Sequence, residues 1–540
     1  MAKQRDSGTL REVVREPGFT PAMRDLGGLV ALLDDSDEEV GEAAERAFAR
    51  AASGGGAVVP SLLERLDGLS ASAQVRALRV IGGQKPTDAA TARRIIGALE
   101  RSDARVQRAA VHVLGRLDES DGASEIASAL LASWDTIPEL PLARALAEAF
   151  GKLGVVDARA RLEQVLEGDP ELARIARKAL TMLERDATRG TESSIRGEAY
   201  GDFDVDLVLF CRQGLESFVI EEVLERCASA RSVRPSAHAG QITALWRGAP
   251  ADLLSVRTLL GVAFALPAER GDVVPACVRA LTAPTSRRVL EAWTTGVVRY
   301  RIDWEGRGHR RGATWQLVDA LRAAAPEWIN DPTDSTWELS IATDGDEVRV
   351  SLVPRKLKDE RFLYRVRDVP AASHPTIAAA LVRASRPEPG DVVWDPFVGS
   401  ATELIERAIA GPHVRLIGSD SSEEALAAAR ANVAAWGKTE VALELGDATV
   451  HAPSGVTTIV TNPPMGRRVA RDGSLAALLD AFTDHAAQVL VPGGRLAWLS
   501  PLGARTAARA EAASLRVTRR QPVDLGGFTA ELQVWEKGAR

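Results

Sequence analysis

Cysteine is scarce in this chain: Cys211, Cys227 and Cys277 are the only three among 540 residues. They show neither the paired spacing of a metal site nor an even disulfide framework, which argues against both and for a reducing compartment. Apolar runs of membrane length, about 18 residues or more, are missing too. The opening MAKQRDSGTLREVVREPG has no apolar core of signal-peptide length, so a cytosolic (cytoplasmic) protein with no membrane partner is expected. An excess of positive charge is also lacking, since 67 Lys and Arg face 74 Asp and Glu for a net charge of −7. Any site for a polyanion must therefore be a local patch. Aromatic residues make up only 5% of the chain, so places where they interleave with arginine stand out.

What the chain does have is length, and repetition. At 540 residues it is too long for one core, and two to four domains are expected. The first third is rich in Ala, Leu, Arg and Glu. Its segments AFARA, VIGG, VLGRL, AFGKL and ALTML place Phe48, Ile81, Leu114, Phe150 and Leu180 at spacings of 33, 33, 36 and 30 residues. Each anchor closes an amphipathic pattern: in DARVQRAAVHVLGRL, Val106, Ala109, Ala110, Val113, Leu114 and Leu117 share one helical face. A period in the thirties built from paired helices predicts an α-solenoid over residues 20–185, because no single pair can bury its own face. The pattern resembles HEAT repeats, whose usual task is to present a surface to a partner protein; nothing in this stretch looks catalytic.

From 185 to 202, RDATRGTESSIRGEAYGD reads as a polar linker. Beyond it, strands at FDVDLVLFC, QITALWRG, VVRYRIDW and WELSIATDGDEVRVSLV, with helices at GLESFVIEEVLERCA and TWQLVDALRAAA, predict an α+β module over 203–370. Residues 371–540 then alternate strictly. Strands are expected at 391–397, 414–420, 441–446, 457–462 and 495–500, and helices at 401–410, 422–436 and 473–490. Such alternation implies a doubly wound α/β parallel sheet of Rossmann-like type, with ligands at the carboxyl ends of the strands.

Those ends carry the candidate residues. After the first strand, Asp395-Pro396-Phe397-Val398-Gly399-Ser400-Ala401-Thr402 makes a small-residue turn into a helix, where Gly399 allows close backbone approach and the helix start offers free N–H groups. The second strand ends at Asp420, 25 residues beyond Asp395, placed to accept the hydroxyls of a ribose. The third leads to Asp447, a carboxylate able to accept from an adenine amine. The fourth runs into Asn462-Pro463-Pro464-Met465-Gly466. Two prolines cannot continue a central strand, so they hold the Asn462 amide and a neighbouring carbonyl in a rigid segment past its end. Together these residues describe an adenosine-containing cofactor beside a fixed asparagine.

DPFVGSATELIE, GSD, GDA and TNPPMG resemble the class I S-adenosylmethionine-dependent methyltransferases that act on exocyclic amines. Within that group the Asp-Pro-Phe opening is similar to the tRNA guanosine-N2 methyltransferases that carry a THUMP domain. FCRQGLESFVIEEVL, GQITALWRG and YRVRDVPAASHPTIAAALVRAS agree with that family in order, and the likeness spans about residues 203–538. The resemblance implies that Asp395, Phe397, Gly399 and Ser400 line the cofactor loop, with Asp395 and Gly399 holding the methionine part of S-adenosylmethionine. Asp420 would hold the ribose and Asp447 the adenine. Asn462 and the Pro463 carbonyl would accept from the target amine, with Met465 as the face on which the base rests. Two positions depart from the family: Ala401 stands where glycine is usual, and Met465 where an aromatic residue is usual.

The resemblance also implies an RNA partner, most naturally tRNA. Arg299, Arg301, Arg307, His309, Arg310 and Arg311, with Tyr300, Trp304 and Trp315 interleaved, suit phosphate contact and stacking. A second set comprises Arg355, Lys356, Lys358, Arg361, Arg365 and Arg367, and Arg467 and Arg468 flank the asparagine loop. Asp303, Glu305, Asp359 and Glu360 dilute these patches, which leaves an ordinary solvated surface as the competing reading. Two other functions stay open at this point: a non-catalytic HEAT scaffold with a degenerate methyltransferase domain, and a DNA or protein N-methyltransferase using the same Asn-Pro-Pro motif.

Overall fold

A computed structural model of the chain describes residues 7–16, 18–52, 58–84, 88–101, 103–117, 122–136, 138–187, 190–306, 310–370, 372–466 and 474–539. It forms two compact units, Met1–Thr191 and Glu192–Arg540. No helix among the described residues is long and apolar enough to cross a membrane.

The first unit contains helices and no strand among its described residues. Helices Glu38–Ala52, Ala71–Gly83, Ala104–Leu114, Leu140–Leu153 and Pro170–Ala187 pack each against the next. Leu26–Leu32, Val58–Arg65, Ala89–Ile96, Ala123–Asp135 and Arg159–Gln164 form a second row, each packed on the long helix that follows it. Phe48, Ile81, Leu114, Phe150 and Leu180 lie one in each long helix and all are buried. The periodic residues thus fill the seam between successive helix pairs, where neighbouring pairs bury each other's apolar faces. Side-chain caps set the starts: Asp88 accepts from the Thr91 amide at 2.7 Å and Ser70 from Ala73 at 3.4 Å.

The second unit contains a nine-stranded mixed sheet. Its main order is Arg231–Pro235, Gln241–Gly248, Gly201–Phe210, Gly261–Ala265, Glu347–Pro354, Trp337–Asp344, Arg299–Trp304 and Ile329–Asn330, with Glu269–Arg270 paired to Glu347–Pro354. Much of the chain's small aromatic allotment gathers beneath it, with Phe264 stacked on Trp293 at 4.6 Å and Trp246 at 6.1 Å from the same indole. The long strands expected for the α+β module therefore lie in one sheet.

The C-terminal sheet has seven strands: β1 (Val392–Asp395), β2 (Arg415–Asp420), β3 (Ala442–Leu445), β4 (Thr458–Thr461), β5 (Arg495–Ser500), β6 (Leu515–Asp524) and β7 (Thr529–Lys537). Their order is β3-β2-β1-β4-β5-β7-β6, with β1 to β5 mutually parallel and the β6–β7 hairpin antiparallel. β4 is fully buried, as a central parallel strand must be, which explains its unbroken Thr-Ile-Val-Thr run. The chain leaves β1 toward β2 on one side and resumes at β4 on the other, so the crevice between the carboxyl ends of β1 and β4 is the topological switch point.

The two sheets of this unit are tightly joined. Arg257 donates from Nε and Nη2 to both oxygens of Glu406, and the Tyr364 hydroxyl donates to the same carboxylate at 2.6 Å. Leu215 and Phe218, which flank the start of helix Glu216–Arg226, belong to the apolar cluster under the C-terminal sheet. Gly214 has φ +93°, and a Cβ there would lie 2.0 Å from the Pro522 carbonyl of β6. The Glu216 carboxylate accepts from the Gly214 and Gly240 amides at 2.8 Å each. The Gly-Leu-Glu stretch thus reads as turn, core plug and loop tie of one docking element.

Candidate active site

Backbone architecture alone brings the predicted residues to one edge. Asp395 ends β1, fully buried, and its Oδ1 accepts from the Thr461 hydroxyl at 2.6 Å and from the Phe397 amide at 3.1 Å. That first bond ties the end of β1 to the end of β4. Its Oδ2 is buried with no hydrogen-bond partner. Burial, then the nearby Glu403 charge, raises the Asp395 carboxyl well above the ordinary carboxylate range.

Gly399, at φ +50°, donates its amide to Asp420 Oδ2 at 3.0 Å, while the Ser422 amide holds Oδ1 at 2.9 Å. The second-strand carboxylate is therefore oriented by the loop that follows the first strand. Ser400 is buried against Thr402, its hydroxyl 3.0 Å from Thr402 Oγ1, and Phe397 meets Phe482 edge to face at 5.2 Å. Ala401 takes the left-handed conformation, φ +62°, ahead of helix Thr402–Ala410. This explains why glycine would be the easier residue there: an L-side chain at such a φ costs about 1–2 kcal/mol. Asp447 lies two residues beyond β3, exposed, and the Thr449 hydroxyl and amide bind its Oδ1 at 2.7 and 2.8 Å. Those bonds hold its carboxyl below the usual range.

Asn462 sits just past β4. Its Nδ2 donates to the Ser373 hydroxyl at 2.7 Å, and the Ser373 hydroxyl donates in turn to Glu403 Oε1. The amide oxygen, Oδ1, is buried and has no partner. Pro463 is buried, and Met465 is half-buried against the apolar cluster below, as are Phe362 and Leu525. Glu403 is 4% exposed, and burial raises its carboxyl above the ordinary range. Sequence reasoning missed Ser373, Glu403 and Thr461. All three lie within the family-like stretches, but Ser373 is 89 residues from Asn462 and Glu403 falls within an amphipathic helix, so nothing in their spacing marked them as partners.

The basic patches require correction. Arg299 is buried and paired with Asp331 at 2.9 Å, a core ion pair and not a phosphate contact. Arg301 pairs with Glu338 at 2.6 Å, Lys356 with Asp334 at 2.7 Å, and Arg365 with Asp368 at 2.7 Å. Arg361 is spent on the Val256 and Leu259 carbonyls, at 2.6 and 2.8 Å. Arg310, stacked over Trp304 at 5.3 Å, remains exposed together with Arg311 and Arg367. Arg307, His309, Arg467 and Arg468 lie outside the described residues.

The residues fit a cationic, adenosine-bearing cofactor. Three carboxylates, Asp395, Glu403 and Asp420, converge on the switch point, and one buried oxygen of Asp395 awaits a donor. No group of three or more His, Cys, Asp or Glu side chains among the described residues is placed to hold a metal ion.

Residues 363–531 match the RMKL-like methyltransferase domain family. The tRNA (guanine(6)-N2)-methyltransferase of Thermus thermophilus is 34% identical over 167 residues, 30% of this chain and 49% of that protein. The chain thus spans about half the length of that curated relative. The "Probable tRNA (guanine(10)-N2)-dimethyltransferase" of Methanothermococcus thermolithotrophicus is 30% identical over 117 residues, 20% of this chain and 71% of that protein. Among solved structures, TrmN from Thermus thermophilus superposes with a TM-score of 0.53 at 23% identity, covering 62% of this chain and 99% of that one, which is a likeness of fold.

Proposed function

Because this chain belongs to the RMKL-like methyltransferase family, we propose that it transfers a methyl group from S-adenosylmethionine to the exocyclic amine of a guanosine in structured RNA, with tRNA as the substrate class. The observation that carries this reading is the Asn462 amide: Nδ2 is tied to Ser373 while Oδ1 is buried and unpartnered. A buried acceptor left without a donor costs free energy, about 1–3 kcal/mol, and is kept where a ligand supplies the donor.

Guanine's amino nitrogen is a poor nucleophile because its lone pair is delocalised into the ring. Asn462 Oδ1 and the Pro463 carbonyl accept hydrogen bonds from its two N–H groups, turn the nitrogen toward the donor and stabilise the positive charge that develops on it. The cofactor supplies a methyl group on a sulfonium, a good leaving group. Asp395 Oδ2 suits its ammonium group and Asp420 its ribose, with Gly399 holding the Asp420 carboxylate in place. Asp447, still able to accept through a carboxylate oxygen, suits the adenine amine. The core packing of Met465 supports a role as an apolar shelf beneath the flipped base.

Residues 203–370 are read as a THUMP-like module that holds RNA, with the exposed Arg310 beside Trp304 as a phosphate and stacking contact. Residues 20–185 are read as a HEAT-like solenoid that offers a partner surface, and 371–540 as the catalytic domain. The test is a single-turnover assay with labelled S-adenosylmethionine and unmodified total tRNA, followed by nucleoside mass spectrometry. N2-methylguanosine is the expected product; a wild type that binds cofactor and RNA yet transfers nothing would favour the scaffold reading.

A further inference from the structure

We infer that Ser373 and Glu403 form a positioning relay that fixes which way the Asn462 amide points. The inference rests on the proposed methyl transfer. An asparagine amide can turn over about its Cβ–Cγ bond, exchanging a donor for an acceptor at the same place. Only one orientation accepts the substrate amine. What selects it is the hydroxyl between Asn462 and Glu403.

A serine hydroxyl has one proton. Ser373 gives that proton to Glu403 Oε1, so toward Asn462 it can only accept. A flipped amide would place Oδ1 against the Ser373 oxygen, two acceptors facing each other within hydrogen-bonding distance. The observed orientation instead has Nδ2 donating at 2.7 Å, which leaves Oδ1 for the substrate. Oε1 accepts that proton when the carboxylate is ionised, and still does so with a proton on Oε2. Both members are shut away from water, Ser373 at 6% and Glu403 at 4% exposure, so no solvent molecule competes for the hydroxyl proton. The relay spans three separate parts of the chain: the loop before helix Pro375–Ala384, the helix after β1 and the end of β4.

The experiment compares single-turnover methyl transfer with S-adenosylmethionine affinity in relay variants, using unmodified total tRNA. Ser373→Ala should slow transfer about 10- to 100-fold, the scale of a misplaced catalytic group, while cofactor affinity stays near wild type. Ser373→Thr keeps the hydroxyl between Asn462 and Glu403 and should hold the rate near wild type. A purely structural role would be rescued differently: Ser373→Ala combined with Glu403→Leu removes the polar pair together and should recover the melting temperature but not the rate. The inference is overturned if Ser373→Ala transfers as fast as wild type, or if the double variant recovers speed along with stability. A wild type that never transfers methyl would sink the proposed function and this inference with it.

Discussion

Arg257 and Glu406 form a two-pronged ion pair, Nε to Oε2 at 2.6 Å and Nη2 to Oε1 at 2.7 Å, between the nine-stranded sheet's side of the unit and the helix that follows β1. The carboxylate is 1% exposed and the guanidinium 13%. Removing one member of such a pair leaves the other charged and buried, typically about 3–5 kcal/mol. Arg257→Ala is therefore expected to lower the melting temperature of residues 192–540 strongly, whereas Arg257→Met with Glu406→Met should lower it much less. Equal losses in the two variants, measured by calorimetry, would show that the pair's charge is not what matters.

Asp420→Ala should weaken S-adenosylmethionine binding. It removes the acceptor proposed for the ribose and releases the Gly399 amide that this carboxylate now holds. Hydrogen bonds to a charged group contribute about 1.5–3 kcal/mol, so a loss of roughly tenfold to more than a hundredfold is expected in titration calorimetry. Unchanged affinity removes Asp420 from the site.

Asn462→Ala should abolish methyl transfer with cofactor affinity near wild type, because its interaction grows as charge develops on the attacking nitrogen. Met465→Tyr tests the shelf: if the ring fits, RNA binding tightens, since stacking on an aromatic face contributes about 1–3 kcal/mol per base. Filter binding with unmodified tRNA reads the second effect, and retained turnover in the first variant would refute the assigned chemistry.

Acid–base linkage gives a further expectation. Burial raises the carboxyls of Asp395 and Glu403 above their ordinary range. A carboxyl raised in the folded state favours folding below its unfolded pKa, and that contribution is lost as pH rises through the folded value. A cationic ligand favours the ionised carboxylates, so the stabilisation it confers grows over the same rise. The melting-temperature increase given by S-adenosylmethionine should thus be larger at mildly alkaline than at mildly acid pH, and binding should release protons to the buffer. A shift independent of pH would mean that these carboxyls do not meet the cofactor's charge.

The parallel strands of the C-terminal sheet were legible because each is a short run closed by a turn signal: β1 to β5 all lie inside their expected spans. The strand-end acids followed from that placement. Ser373 and Glu403 were not legible, since a hydroxyl and a carboxylate that meet only after folding leave no spacing to read. The arginine patches misled for a related reason. Sequence shows Arg299 as a charge, but only the fold shows the Asp331 that neutralises it. The hairpin of β6 and β7 escaped because LRVTRRQPVD is mostly polar and covers the edge of the sheet.

Residues 192–540, expressed without the first 191, should fold and bind cofactor as well as the full chain does, because the solenoid-like helices bury their apolar faces in one another. Circular dichroism and cofactor titration check this. An insoluble or molten product would make the first unit part of the catalytic fold.

Gly214 and Pro522 meet across most of this unit's length in sequence, and Arg519 bonds Ser217 across 302 residues of chain. Synthesis runs from the amino terminus, so the ribosome finishes the helix bearing Leu215 and Phe218 long before it makes the strand that covers them. Until β6 emerges, that apolar face lacks part of its cover, Ile377 and Leu381 being already made and Val523 still to come, and the nascent protein passes through a period in which a chaperone's grip would matter. The order of translation, as well as the stability of the folded chain, then bears on when this protein is prone to aggregate.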